Sequence, residues 1–120
     1  MTEPDMTRTR LLLAAFTTAL LAGCGASPQG EFNRGCDAMM KRQDDVNKEE
    51  RQAFCGCLSE DTQELSDADK RTLGALMAES EDGRDFRIGL EEANEEGTVT
   101  PAGAATFFTA AKTCSLDLAI

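Results

Sequence analysis

The chain has 120 residues, enough for one small domain, and carries 22 acidic against 12 basic residues, a formal net charge of −10. Such a surface repels phosphate backbones, so nucleic acid is excluded as an expected partner. The absence of His, Trp and Tyr removes the commonest general base and two of the residues most enriched in binding hot spots.

The first predicted element is a short apolar segment that follows two basic residues. Arg8 and Arg10 precede a largely apolar run at 11–21, and residues 21–24 read Leu-Ala-Gly-Cys. As a helix this run spans about 16 Å, roughly half of the hydrocarbon thickness of a bilayer. It is therefore too short for a transmembrane helix, and its length is typical of the core of a signal peptide.

This arrangement resembles the signal peptide of bacterial lipoproteins, in which a basic stretch and an apolar core lead to a lipobox that ends in the modified cysteine. The resemblance implies that residues 1–23 are removed and that Cys24 carries a diacylglycerol on its sulfur and an acyl chain on its new amino group. Two or three acyl chains anchor a protein far more firmly than one. Two acidic residues near the start are unusual for such a signal, so translation is expected to begin at either Met1 or Met6.

The resemblance also implies a location. An anchored Cys24 places the domain on the periplasmic face of a membrane. Gly25 stands where lipoproteins of the inner membrane commonly have Asp, which favours the outer membrane of a two-membrane cell. The expected partners are then the membrane, through the lipid, and a protein of the cell envelope. An ordinary secretory signal or a buried apolar segment is the alternative interpretation.

Residues 24–30 are predicted to form a lipidated, flexible tether, and residues 31–120 a single domain. Apolar residues in the domain recur at helical spacing, and no alternating run of β-branched residues indicates a strand. We therefore expect an all-α fold, a small bundle of four to five short helices stapled by two disulfides.

Start and stop signals divide the domain into these helices. Asn47 and Glu50 make a capping-box pair at the start of the second helix, and Ser66 begins the third. Gly97 is placed to end the fourth helix, and Thr100, ahead of a proline, begins the last. The expected helix-face positions are Phe32, Cys36, Met39 and Gln43; Phe54, Leu58 and Leu65; Leu73, Leu76 and Met77; Phe86, Leu90 and Ala93; and Ala104, Phe107, Phe108, Ala111, Cys114 and Leu118.

The cysteines of the domain predict its two disulfides. They are Cys36, Cys55, Cys57 and Cys114. Cys55 and Cys57 lie about 200° apart if they share a helix, so they cannot bond each other. We favour Cys36–Cys55 with Cys57–Cys114, because Cys36 and Cys55 fall level across the turn between two antiparallel helices. The crossed pairing stays open.

The segment Cys55-Gly56-Cys57 is the first candidate for chemistry, because two nearby thiolates can share a disulfide or hold a soft metal ion. Arg51 lies one turn before Cys55 and is the kind of cation that activates a thiol. The spacing of the four cysteines matches no common zinc motif. We therefore favour structural disulfides over redox or metal chemistry.

Two acidic features have plain structural interpretations. The segment 92–100 is similar to an EF-hand loop, but Glu92 stands at its first position and Gly103 at its twelfth, where a bidentate Glu belongs. We expect no metal there, only a helix end and a capped helix start.

Clustered carboxylates can hydrolyse glycans, but here we expect solvated helix faces. These clusters are Asp44, Asp45, Glu49 and Glu50, and Glu91, Glu92, Glu95 and Glu96.

The sequence as a whole predicts a membrane-anchored periplasmic lipoprotein that is not an enzyme and acts as an interaction or structural module. No phosphate-binding loop or motif of a hydrolase is present. No cofactor is expected apart from the covalent diacylglycerol and N-acyl chain on Cys24. The alternative function is a periplasmic thiol–disulfide or metal-handling protein that uses Cys55-Gly56-Cys57.

Overall fold

A computed structural model describes the backbone of residues 27–118 and the side chains of residues 27–115, so Cys24 and the predicted signal peptide lie outside the described residues. The described part is all-helical, as expected, with five helices and no strand. The helices are α1 (Pro28–Lys41), α2 (Lys48–Asp61), α3 (Asp67–Glu79), α4 (Gly83–Glu96) and α5 (Pro101–Leu118). None of these five is long and apolar enough to cross a membrane.

The helix ends follow the capping residues that the sequence indicates. Asn47 Oδ1 accepts from the Glu50 N–H and Glu50 Oε1 accepts from the Asn47 N–H, which completes the predicted capping box. Ser66 caps α3, and Gly97 ends α4 with a φ of 82°, a left-handed conformation that glycine adopts at little cost. The sequence interpretation misses Asp82, whose side chain accepts a backbone N–H in the first turn of α4.

Three boundaries differ from the predicted ones. The helix α1 ends at Lys41, so Gln43, which was predicted on its face, lies beyond its end. The helix α1 begins at Pro28, because Ser27 caps it by accepting the Gly30 N–H at 3.0 Å. Residues 28–30 are therefore its first turn and not part of a tether. Leu65 is buried as predicted, but it lies in the turn after α2 and not on that helix.

The core is made where α1 packs on α3 and α2 packs on α5. Phe107 on α5 joins the helices, since its ring centroid lies 6.1 Å from that of Phe32 on α1 and 5.0 Å from that of Phe86 on α4. Aromatic pairs at such separations stabilise a core beyond the area that they bury. The three phenylalanines are all buried.

Glycine on both sides makes the crossing of α1 and α3 unusually close. Gly35 and Gly74 are buried, and a Cβ atom built on Gly74 lies 2.6 Å from the Glu31 carbonyl oxygen and 2.9 Å from Phe32 Cα. Real Cβ atoms essentially never come within 3.0 Å of such atoms. The two helices therefore pack at this distance only because both positions lack a side chain.

The prediction is wrong at one position of the α5 face, Phe108. Phe108 is 42% exposed, whereas Ala110, which was not on that face, is only 4% exposed. Successive residues of a helix are about 100° apart, so a face that contains Phe107, Ala110 and Cys114 turns Phe108 toward solvent. The side chain of Leu118, also predicted on this face, lies outside the described part.

A buried carboxylate holds the start of α5. Asp69 on α3 is 3% exposed, and its two oxygens accept from the Thr100 N–H at 3.1 Å and the Thr100 hydroxyl at 2.7 Å. The same hydroxyl oxygen accepts from the Gly103 N–H at 2.9 Å, which makes Thr100 the N-cap, as predicted. A Cβ atom on Gly103 would lie 2.9 Å from Asp69 Cγ, so glycine also leaves room for the carboxylate.

We expect Asp69→Asn to lower the free energy of unfolding by about 1–3 kcal/mol, because an amide keeps one acceptor and leaves one buried bond to Thr100 unmade. Urea denaturation followed by circular dichroism measures the change. Asp67→Asn is the matched control, since Asp67 is exposed on the first turn of the same helix. Equal effects of the two substitutions would contradict the assignment.

Candidate functional site

Both favoured disulfides are present. Cys36 bonds Cys55 and Cys57 bonds Cys114, each with a Cα–Cα distance of 5.8 Å. Cys36 and Cys114 are fully buried. The predicted pairing is thereby confirmed over the crossed alternative.

The pair Cys55 and Cys57 does not form a single site. Both residues lie on α2, where side chains two positions apart point in nearly opposite directions. Cys55 consequently ties α2 to α1, and Cys57 ties it to α5. The two disulfides act as separate staples on opposite sides of one helix.

Arg51, the candidate activating cation, has a different partner. Its Nε donates to Asp37 Oδ1 at 2.8 Å, while Lys41 Nζ lies 3.3 Å from Asp37 Oδ2. Although burial raises it, the hydrogen bonds and charges of Lys41 and Arg51 hold the pKa of Asp37 below its usual value. The guanidinium is thus committed to linking α1 and α2 and is balanced by a carboxylate.

A carboxylate lies beside the second disulfide. Asp61 Oδ2 is 3.7 Å from Cys114 Sγ and 4.0 Å from Cys57 Sγ. The ligand atoms of these three residues all lie within 4.8 Å of one another. This geometry would suit a metal ion if the sulfurs were free thiolates. Because the sulfurs are bonded to each other, metal binding here requires that the disulfide first be reduced. A neighbouring negative charge also opposes thiolate formation.

The acidic segments have the structures expected of helix ends and solvated faces. Residues 92–96 form the last turn of α4, Gly97 closes it, and Thr100 starts α5, so the resemblance to an EF-hand loop does not extend to its backbone. Among the other carboxylates, Glu50 serves the capping box and is half-buried. The remaining members of the two acidic clusters are exposed.

One of several concave features of the described residues is an apolar groove of about 370 Å³ between α1, α2, α4 and α5. Its apolar walls include Met39, Met40, Phe54, Phe86, Phe107 and Phe108. Two charged residues also line it, Asp45 and Arg87, one from the turn before α2 and one from α4. We call this feature the apolar groove.

The sequence interpretation did not predict the apolar groove. Two adjacent apolar doublets, Met39-Met40 and Phe107-Phe108, contribute to it, but the apolar face of an ordinary amphipathic helix also contains adjacent positions, so the doublets do not identify a groove. The groove also lies at the opposite end of α1 from Pro28. About 17 Å of helix separates Pro28 from Met39.

No family model, no curated protein and no solved structure matches this chain. A function is therefore inferred from the residues of this chain alone.

Proposed function

We propose that this protein is an exported lipoprotein, anchored through Cys24 on the periplasmic face of a membrane, where it acts without catalysis by binding a partner in the cell envelope. The outer membrane is the favoured location because Gly25 follows the anchor. The observation that carries the proposal is the use of the cysteines. Four of the five form the two disulfides of the domain, and the remaining one ends the segment that resembles a lipobox.

Compartment chemistry supports export. Structural disulfides form and persist in oxidising compartments and are rare in the cytosol of most cells. Two of them in a domain this small supply stabilisation that a limited core does not. The disulfides and the lipobox are independent features, and both favour an exported chain.

The described acids support a role without catalysis. A carboxyl that acts as a general acid needs a raised pKa in an apolar cleft. The clustered carboxylates of the chain instead lie mainly on exposed helix faces, and the buried Asp69 is committed to Thr100. These acids fit a solvated, rigid module that offers its surface to a partner.

We expect Cys24→Ser to abolish acylation and to release the protein from the membrane fraction. The test is metabolic labelling with an alkyne-bearing fatty acid, combined with mass spectrometry of the mature chain. The wild-type chain should begin at Cys24 and carry a mass increment for diacylglycerol. Gly25→Ser, at the next position, is the matched control and should keep the label.

An unmodified mature chain, or a chain cleaved at another position, would refute the anchor. It would leave a secreted or periplasmic soluble protein with the same disulfides. Labelling that persists in Cys24→Ser would place the acyl group on a different residue and would refute it equally.

A further inference from the structure

We propose that the apolar groove binds the acyl chain of a single-chain, zwitterionic amphiphile, the chemistry of a lysophospholipid. This inference goes beyond the anchor and envelope-partner role proposed above. It does not depend on acylation of Cys24, because the apolar groove is built only from residues of the folded domain.

The walls of the apolar groove favour an alkyl chain. They are formed mainly by methionine and phenylalanine side chains, and methionine adapts readily to the shape of a flexible ligand. Ligand pockets typically enclose about 300–1,000 Å³, so about 370 Å³ lies at the small end of that range. That volume suits one chain better than the two chains of a bilayer phospholipid.

Phe108 makes the groove an apolar surface that solvent reaches. Two large apolar side chains of the described part are clearly exposed, Phe108 at 42% and Ile88 at 45%. Ile88 stands outside the groove lining, and isolated exposed apolar residues are ordinary. Phe108 instead continues the apolar wall, so a chain lying against it would remove its ring from water.

The two charged residues of the lining indicate the headgroup. Arg87 Nη1 lies 3.8 Å from Glu91 Oε2, and both side chains are more than half exposed, so this ion pair is weak. The Arg87 guanidinium is therefore available to a phosphate, the anion that its planar donors suit. The Asp45 carboxylate, also exposed, is complementary to an ammonium group. One cation and one anion at the same groove match a zwitterion.

Photo-crosslinking in the membrane tests the site with the full chain in place. The probe is a lysophosphatidylethanolamine that carries a diazirine on its acyl chain, added to membranes that contain the protein. We expect crosslinks on groove residues, mapped by mass spectrometry, and their loss when unlabelled lysophosphatidylethanolamine is added. Each further methylene that the groove buries should raise affinity about fourfold, up to the length that fills it.

A blocking substitution separates the apolar groove from nonspecific contact with lipid. Ala111 lines the groove and is half-buried on α5, so Ala111→Trp should reduce labelling by about tenfold or more, equivalent to losing roughly two buried methylenes. The matched control is Ala105→Trp, because Ala105 is exposed on the same helix and lies outside the groove lining. Intact disulfides in both variants confirm that the chains have folded.

If Ala111→Trp fails to fold, Phe108→Ser replaces it. Ile88→Ser is then the control, because the two residues are almost equally exposed and only Phe108 lines the groove. Labelling should fall in Phe108→Ser and stay unchanged in Ile88→Ser.

The headgroup is tested separately from the chain. Arg87→Gln and Asp45→Asn should each weaken labelling by up to about fivefold, the range of exposed charge pairs. The neighbouring exposed residues provide controls, Arg84→Gln and Asp44→Asn, which should have no effect. A probe with the same chain and an uncharged glycerol headgroup should label less and should not respond to either charge substitution.

Three results would overturn the proposal. The first is labelling spread evenly over exposed residues, and the second is equal labelling of Ala111→Trp and Ala105→Trp. The third is labelling of groove residues that persists when unlabelled lysophosphatidylethanolamine is added in excess, which would mean that the groove has no saturable site for this amphiphile. None of these results bears on the acylation of Cys24, which the labelling of Cys24→Ser measures independently.

Discussion

Replacing Cys57 and Cys114 together with Ala is expected to lower the free energy of unfolding by about 4 kcal/mol. The matching change at Cys36 and Cys55 should cost about 3 kcal/mol. The difference follows from loop length. The Cys57–Cys114 bond joins residues that are 57 apart in sequence, whereas the Cys36–Cys55 bond joins residues that are 19 apart. Longer loops have more conformational freedom when unfolded, and a crosslink removes more of it.

Urea denaturation of the unreduced proteins, followed by circular dichroism, measures both values. For a domain of this size each kcal/mol corresponds to about 4–8 °C in melting temperature, so the Cys57–Cys114 variant should melt roughly 15–30 °C lower. The variant that lacks Cys36–Cys55 serves as the matched comparison, because each change removes one fully buried cysteine and one half-buried cysteine. A reversed order of the two stabilities would contradict the entropic account.

A third variant, Cys55→Ser/Cys57→Ser, separates structural disulfides from the redox alternative. If Cys55 and Cys57 served thiol chemistry, Cys55→Ser/Cys57→Ser would fold with near wild-type stability and lose only a redox phenotype. In the fold described above this double substitution breaks both disulfides. We therefore expect this variant to lose cooperative unfolding, so that any loss of a redox phenotype would accompany a loss of folding.

The disulfide pairing was predictable because helix geometry alone excludes one of the three pairings. Two cysteines separated by a single residue on a helix cannot bond each other, and the turn after α1 brings Cys36 level with Cys55. The helix starts were predictable for a similar local reason. Asn47, Ser66 and Thr100 satisfy backbone N–H groups within their own first turns.

The apolar groove was not predictable, because it depends on how the helices are rotated against one another. Phe107 and Phe108 are neighbours of the same residue type, and helical spacing alone did not indicate which would be buried. Packing against Phe32 and Phe86 selects Phe107 and leaves Phe108 on the groove wall. The glycine contact was hidden for the same reason, since a glycine within a helix does not identify the residue that approaches it.

The close contact between Gly74 and α1 predicts that replacing glycine with alanine changes the free energy of unfolding in opposite directions at two sites. Gly74→Ala should lower the free energy of unfolding by at least about 2 kcal/mol, because its methyl group would meet the α1 backbone at Glu31 and Phe32. Those contacts are a carbonyl oxygen and a Cα atom, so no flexible side chain can move aside. Relief requires separating α1 from α3, which gives up packing along the whole crossing.

Gly56→Ala is the matched control for Gly74→Ala, because Gly56 is exposed within α2 and a Cβ atom built there meets nothing within 4 Å. Alanine is favoured over glycine in a helix interior by about 0.8–1.0 kcal/mol, so this variant should be more stable than wild type. Chemical denaturation of both variants, with disulfides intact, compares them directly. Stabilisation by Gly74→Ala would mean that α1 and α3 do not cross through their glycines, since helix propensity alone would then determine both results.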